Sequence, residues 1–304
     1  MANYPKIYAD FLRKFLKIEH PLRVVFDCSD GTANVVLKEL FSSHTGIDAK
    51  VVNGKPNGRF PTHGPNPLVG RAFEMLGKEV REWKADVGIV FDSDADRVFF
   101  VDDEGNRLTT DVVALLMAKN FKGPTIVDVR SGFILREGLT REKRKFIESR
   151  VGHFFIKKLM RKEDIAFGAE VTGHYYFKDF FYADSGILAA IFLLNEVSKL
   201  RARGERLSQW TEKLPKIFSS GEVNFKVEDE EGIMKRIEEA FKRRARTSSK
   251  LDGIRMEFGT GSKEWWFNVR SSNTENLLRL NLEAKNEAIF KKQFQDLKAL
   301  IGSR

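Results

Sequence analysis

Short apolar runs of strand length alternate with segments of helical period through the first two thirds of this sequence, and that alternation most constrains the fold. Residues 23–28, 48–52, 86–91 and 98–102 read as strands, and 125–129 and 165–168 continue the pattern in a second stretch. Between them, 4–18, 32–43, 68–83, 111–121, a segment around 153–161 and a long apolar run from 185 read as helices. Strands alternating with helices predict βα units packed as α/β layers. After a charged stretch at 201–209 the order changes to a strand (223–227), a helix (230–244), three strands and a final helix (287–301). Three units are therefore expected: an α/β domain over 1–106, a second α/β domain over 107–207, both with mixed sheets, and a C-terminal α+β domain over 208–304.

The single cysteine, Cys28, cannot form an intramolecular disulfide, and five scattered histidines offer no zinc spacing. The longest apolar run, 187–194, is far short of the roughly 20 residues of a membrane span, and Lys6, Asp10 and Arg13 interrupt any signal-peptide core. A cytoplasmic protein with no membrane partner is the expectation. The net charge of +9 suits anionic ligands. A nucleic-acid partner is not expected: basic residues form no stripe with interleaved aromatics, and the basic run 235–246 reads as one side of an exposed helix.

Three loops carry candidate chemistry. The strand 86–91 ends in Asp92-Ser93-Asp94-Ala95-Asp96-Arg97, at the carboxyl end where α/β sheets bind ligands. Two carboxylates about 4 Å apart repel by roughly 4 kcal/mol at an effective dielectric of about 20, so three together need a cation or protons. Oxygen ligands favour a hard ion, Mg²⁺ or Ca²⁺, with Mg²⁺ the better match to a phosphate substrate. An EF-hand is excluded, because Arg97 stands where the loop needs glycine, Asp103 where it needs glutamate, and strands flank the loop. An aspartate-based phosphatase of the haloacid-dehalogenase type would leave Asp96 and Arg97 without a role. A solvated acidic turn is the plainest alternative.

Gly168-Ala169-Glu170-Val171-Thr172-Gly173-His174 sets a carboxylate, a hydroxyl and an imidazole on one loop, suited to sugar hydroxyls, and Glu170 or His174 could move protons. Arg270-Ser271-Ser272-Asn273-Thr274-Glu275, between two strands, offers a guanidinium with short hydroxyl and amide donors, as a phosphate dianion requires. Each also reads as an ordinary polar turn.

In this order the three loops resemble the α-D-phosphohexomutases, the phosphomannomutase/phosphoglucomutase family. The segments Asp27 to Gly31, Arg59 to Pro67, Arg150 to His153 and Ala183 to Ile187 are similar to family segments at matching places, so the resemblance spans nearly the whole chain. It implies family domains 2, 3 and 4, with Asp92, Asp94 and Asp96 holding Mg²⁺ and Arg97 beside the reacting phosphate. It also implies that Glu170, Thr172 and His174 contact the sugar, that Arg130 and His153 line the cleft, and that Arg270, Ser272, Asn273 and Thr274 grip the phosphate not being transferred. The family interconverts hexose 1-phosphate and 6-phosphate, of mannose or glucose, through a 1,6-bisphosphate, using a phosphoserine from its first domain. That serine loop, typically Thr-Ala-Ser-His-Asn-Pro, is not among these residues. The chain is thus expected to be inactive alone or to work with a separate serine-bearing domain; the alternative is a non-catalytic sugar-phosphate-binding protein. Ser93 and Ala95 stand where the family usually has glycine, Thr172 where it has serine, and Asn276 where it has proline.

Overall fold

The computed structural model describes residues 2–42, 46–272 and 276–302. Helix α1 (Tyr4–Arg13) opens the chain, followed by β1 (Leu22–Asp27), α2 (Ala33–Leu40), β2 (Ile47–Val52), α3 (Ala72–Trp83), β3 (Val87–Phe91) and β4 (Val98–Val101). The sheet order is β2-β1-β3-β4. The first three strands run parallel, and β4 turns back antiparallel on β3 with Phe91 opposite Val98. The carboxyl ends of β1 and β3 therefore lie side by side, and the acidic turn joins β3 to β4 at that edge.

The second unit comprises α4 (Thr110–Ala118), β5 (Thr125–Asp128), α5 (Phe133–Arg141), β6 (Phe146–Ser149), α6 (His153–Glu163), β7 (Phe167–Ala169), β8 (Tyr175–Phe177), β9 (Ala183–Asp184) and α7 (Gly186–Ala202). Its sheet, β6-β5-β7-β8-β9, is parallel through β7 and antiparallel beyond. A short helix α8 (Leu207–Thr211) overlaps the end of the charged stretch at 201–209. The third unit, β10 (Phe218–Lys226), α9 (Glu230–Phe241), β11 (Thr247–Ser249), β12 (Ile254–Phe258), β13 (Trp265–Ser271), β14 (Leu277–Ala284) and α10 (Glu287–Gly302), is an antiparallel sheet ordered β10-β14-β13-β12-β11 with two helices. Both α/β units thus have mixed sheets, and an α+β unit follows them.

Helices α4 and α7 are buried on nearly every side, which is why their sequences show little amphipathic period. They sit in one core with Phe26, Phe91 and Phe100 of the first sheet and Phe167 and Phe177 of the second, so the first two units share a hydrophobic interior. The third unit has its own core, built on Ile237, Phe241, Phe267 and Leu280. Among the described residues no helix is long and apolar enough to cross a membrane.

Several elements differ from the sequence expectation for identifiable reasons. The first helix stops at Arg13 because α7 side chains capture the following backbone: Lys17 N–H donates to Asn195 Oδ1 (2.8 Å) and Glu19 N–H to Ser198 Oγ (2.6 Å). The helix expected from 68 begins at Ala72, since Gly70 adopts φ +89°. Helix α5 and strand β6 had no legible pattern: β6 is a half-buried edge, and Gly138, which reads as a breaker, sits where a Cβ would lie 2.5 Å from Leu115. The last strands number four after α9, the additional one being the short edge β11.

Candidate functional site

Asp92 follows β3 directly and is 1% exposed, while Asp94 faces solvent and Asp96 is half-buried. One carboxylate oxygen from each lies within 4.8 Å of the other two. Burial, with Asp96 nearby, pushes Asp92 up to about 6 against the opposing charge of Arg97, whose Nε donates to Asp92 Oδ2 at 2.6 Å. Asp96 is held at about 2, chiefly by its hydrogen bond with His174. A buried carboxylate this reluctant to ionise, next to two more in an all-oxygen set, fits a hard divalent cation.

The turn is clamped from three sides. Thr32 N–H donates to the Ser93 carbonyl (2.9 Å), Ser93 N–H to Pro65 O (3.1 Å), and Gly186 N–H to Ala95 O (3.0 Å). The long loop 53–67 is itself pinned by His63, whose Nε2 meets the buried Asp27 carboxylate at 3.0 Å. His63 is therefore committed to holding that loop, and Asn66 at its end approaches Arg97 (3.5 Å).

Arg97 and His174 form a β-bridge, and Val98 N–H donates to Gly173 O (3.1 Å), so the acidic loop and the Glu170 loop are joined edge to edge. His174 Nε2 lies 3.5 Å from Asp96 Oδ2, and its Nδ1 lies 3.1 Å from Thr172 Oγ1 and 3.4 Å from Glu170 Oε2. Burial disfavours the imidazolium, but the two carboxylates outweigh it and raise His174 to about 9. Burial likewise works against the Glu170 charge, yet His174, Arg130 and the Tyr176 hydroxyl hold it at about 2. His153 stacks edge-on against His174 with ring centroids 4.6 Å apart, and its Nδ1 reaches Asp184 Oδ2 at 3.0 Å.

Arg130 is buried, bonded to Asp128 (2.9 Å), Glu170 (3.0 Å) and Glu222 (3.1 Å), the last from the third unit. Glu222 also accepts from Arg270 Nη2 and from Arg279 Nη1, both at 3.1 Å, and Arg279 Nη2 donates to Ser272 Oγ (3.1 Å). Asn273 and Thr274 lie outside the described residues. The other expected residues, Asp92, Asp96, Arg97, Arg130, His153, Glu170, Thr172, His174, Arg270 and Ser272, are therefore brought into one network across three units, with Asp94 beside it within 4.8 Å of Asp92 and Asp96. A cleft of about 890 Å³ opens beside it, with Arg130, Thr172, Glu222 and Trp266 in its wall.

Sequence reasoning missed Asp128, Asp184 and Glu222. Asp128 had a legible signal, since it ends β5 as Asp92 follows β3. Glu222 had none, because its position depends on the packing of the third unit.

Three family models match in succession: phosphoglucomutase/phosphomannomutase alpha/beta/alpha domain II over 6–105, alpha/beta/alpha domain III over 106–218, and the C-terminal domain over 222–300. The chain belongs to the phosphoglucomutase/phosphomannomutase family. It is 34% identical to a phosphomannomutase of Methanocaldococcus jannaschii over 99% of this chain and 66% of that protein, and 35% identical to one of Vibrio cholerae over 99% and 67%. It thus spans about two thirds of the length of these curated relatives. Among solved structures, a family protein of Burkholderia thailandensis superposes with a TM-score of 0.85 at 24% identity, covering 97% of this chain and 63% of that one. An N-acetylphosphoglucosamine mutase of Aspergillus fumigatus, solved with GlcNAc-6P and magnesium, gives 0.70 at 17% over 99% and 70%. At these identities the two structures speak for the fold.

Proposed function

We propose that these residues form the metal-, sugar- and phosphate-binding part of a cytoplasmic phosphohexomutase in carbohydrate metabolism, one that interconverts mannose or glucose 1-phosphate and 6-phosphate through the 1,6-bisphosphate. The three units divide near residues 106 and 207 in this reading. The observation that carries the proposal is the Arg97–His174 bridge, which sets the three-carboxylate turn against the sugar-type loop. Asp92, Asp94 and Asp96 would hold Mg²⁺, which when bound supplies positive charge to a phosphoryl group in transfer.

The remaining steps fall to side chains of this chain. Arg97 stands beside the reacting phosphate and is oriented by Asp92. His174, charged at neutral pH, can give a proton to a sugar oxygen and recover it, with Glu170 and Asp96 steadying the imidazolium. His153 lies in the same cluster as a second polar contact. Glu170 accepts from sugar hydroxyls, Thr172 accepts from or donates to them, and Arg130 fixes Glu170. Arg270, Ser272, Asn273 and Thr274 grip the other phosphate. No serine of the family's nucleophile motif occurs here, so the phosphoserine is supplied by a further segment, in the same polypeptide or a separate one.

The test uses the 304-residue protein. Alone it should bind glucose 1,6-bisphosphate without converting glucose 1-phosphate, and turnover should appear when a serine-bearing domain is added. Asp94→Asn should weaken Mg²⁺ binding by calorimetry about tenfold or more, one ligand charge being lost. Turnover by the pure protein would sink the missing-nucleophile reading, and binding without turnover in the reconstituted system would favour a sugar-phosphate-binding protein.

A further inference from the structure

Strand β10 pairs with β14 in register except between Ser219 and Glu222, where one extra residue forms a bulge with Gly221 at φ +60°. Beyond this bulge the Glu222 side chain enters the space between the second and third units. There its two oxygens receive three guanidinium groups: Arg279 on Oε1, and Arg270 and Arg130 on Oε2, each at 3.1 Å. A carboxylate ringed by three arginines has the donor surroundings that suit a phosphate.

Two of these arginines also carry further N–H donors. Among the described residues, the buried Nε atoms of Arg270 and Arg279 have no acceptor, and Arg270 is only 3% exposed. A phosphate ester has three peripheral oxygens against the two of Glu222, and a second negative charge. The Glu222 side chain is 23% exposed and lines the cleft of about 890 Å³, so it can swing out as a ligand arrives.

We propose that Glu222 is a resident anion of the phosphate cradle: it fills the site in the ligand-free chain, competes with the incoming phosphate, and so selects dianionic esters over singly charged anions. A monoanion gains nothing by replacing one carboxylate with another, whereas a dianion brings an extra charge and an extra acceptor. Displacement also parts Glu222 from Arg130, which keeps Asp128 and Glu170. The inference rests on reading the Arg270 loop as the phosphate grip, and its test separates the two.

Inorganic phosphate and acetate are titrated calorimetrically into the 304-residue protein and into Glu222→Gln and Arg279→Gln. Glu222→Gln should bind phosphate about tenfold more tightly and acquire acetate binding that the parent lacks, because the competing charge is gone. A merely structural Glu222 would leave these affinities equal or lower them, and either result overturns the proposal, as does undetectable phosphate binding to both proteins. If Arg279→Gln binds phosphate like the parent, the phosphate-grip reading itself fails. If Arg279 matters but Glu222 does not, only the resident anion is lost. Should Glu222→Gln not fold by circular dichroism, Glu222→Asp retracts the carboxylate by one methylene and should raise phosphate affinity by a smaller factor, about two- to threefold; no rise in that variant overturns the proposal.

Discussion

Asp111 and Glu283 belong to different units, yet their carboxyls meet the first turn of the same helix. Gly132 N–H donates to Asp111 Oδ2 at 2.6 Å, Phe133 N–H to Glu283 Oε2 at 2.9 Å, and the Trp266 indole to that same Glu283 oxygen at 3.1 Å. Burial, reinforced by the charge of Glu283, pushes Asp111 up to about 7, and burial pushes Glu283 up as well. A carboxyl raised in the folded state holds a proton that the unfolded chain has released, so its contribution is fully present below the unfolded value of about 4 and is lost as pH rises through about 7. Asp111→Asn keeps an oxygen acceptor for Gly132 and removes the titration. Urea denaturation should show the parent losing roughly 2 kcal/mol relative to this variant between about pH 5 and about pH 8. A constant difference across that range would mean the carboxyl stays ionised when folded.

The acidic turn shows how a local sequence becomes a site only through its neighbours. Ala95 has φ +63°, a left-handed conformation that a side chain adopts at a cost, and the clamps from α7, the loop 53–67 and the turn before α2 hold it there. Ala95→Gly should therefore raise stability by about 0.5–1 kcal/mol in thermal unfolding, with the three carboxylates kept. Gly31 is required for a different reason: a Cβ there would stand 2.2 Å from the Ser93 carbonyl oxygen. Gly31→Ala should cost about 2 kcal/mol and weaken the proposed Mg²⁺ binding in parallel, since relieving the clash moves the turn. At this scale the strands around the turn were legible because they are apolar throughout, and α3 because one face is. Helix α5 and strand β6 were not, because α5 is short with a glycine pressed against α4, and β6 lies on an edge.

Across the whole molecule the two junctions differ in kind. The first two units merge through the apolar α4 and α7, whereas the third docks by polar contacts. Arg255 donates to the carbonyls of Val129 (2.7 Å) and Ser131 (3.2 Å) while stacking over Trp266, Val151 N–H meets Asp252 (2.8 Å), and Lys285 meets Glu137 (2.6 Å). An apolar core is cooperative and a polar seam is less so, which predicts two calorimetric transitions, one for the third unit alone. Arg255→Met removes the side-chain donor to the Val129 and Ser131 carbonyls and one partner of Glu257, and should lower the transition of the third unit by roughly 2–3 kcal/mol. A single transition unaffected by this change would mean the seam is not what couples the units.

The sequence by itself determined that two α/β units precede an α+β unit, and it marked three polar loops next to strand ends as candidate sites. Those properties are written in periodicity and in the residues next to each strand end, which are local. Only the tertiary structure decided that Asp96 meets His174, that Arg130 is shared between Glu170 and Glu222, and that Asp111 and Glu283 face one helix. Each of those contacts joins residues on separate elements, and its partner is selected by how the units pack, which no periodicity records.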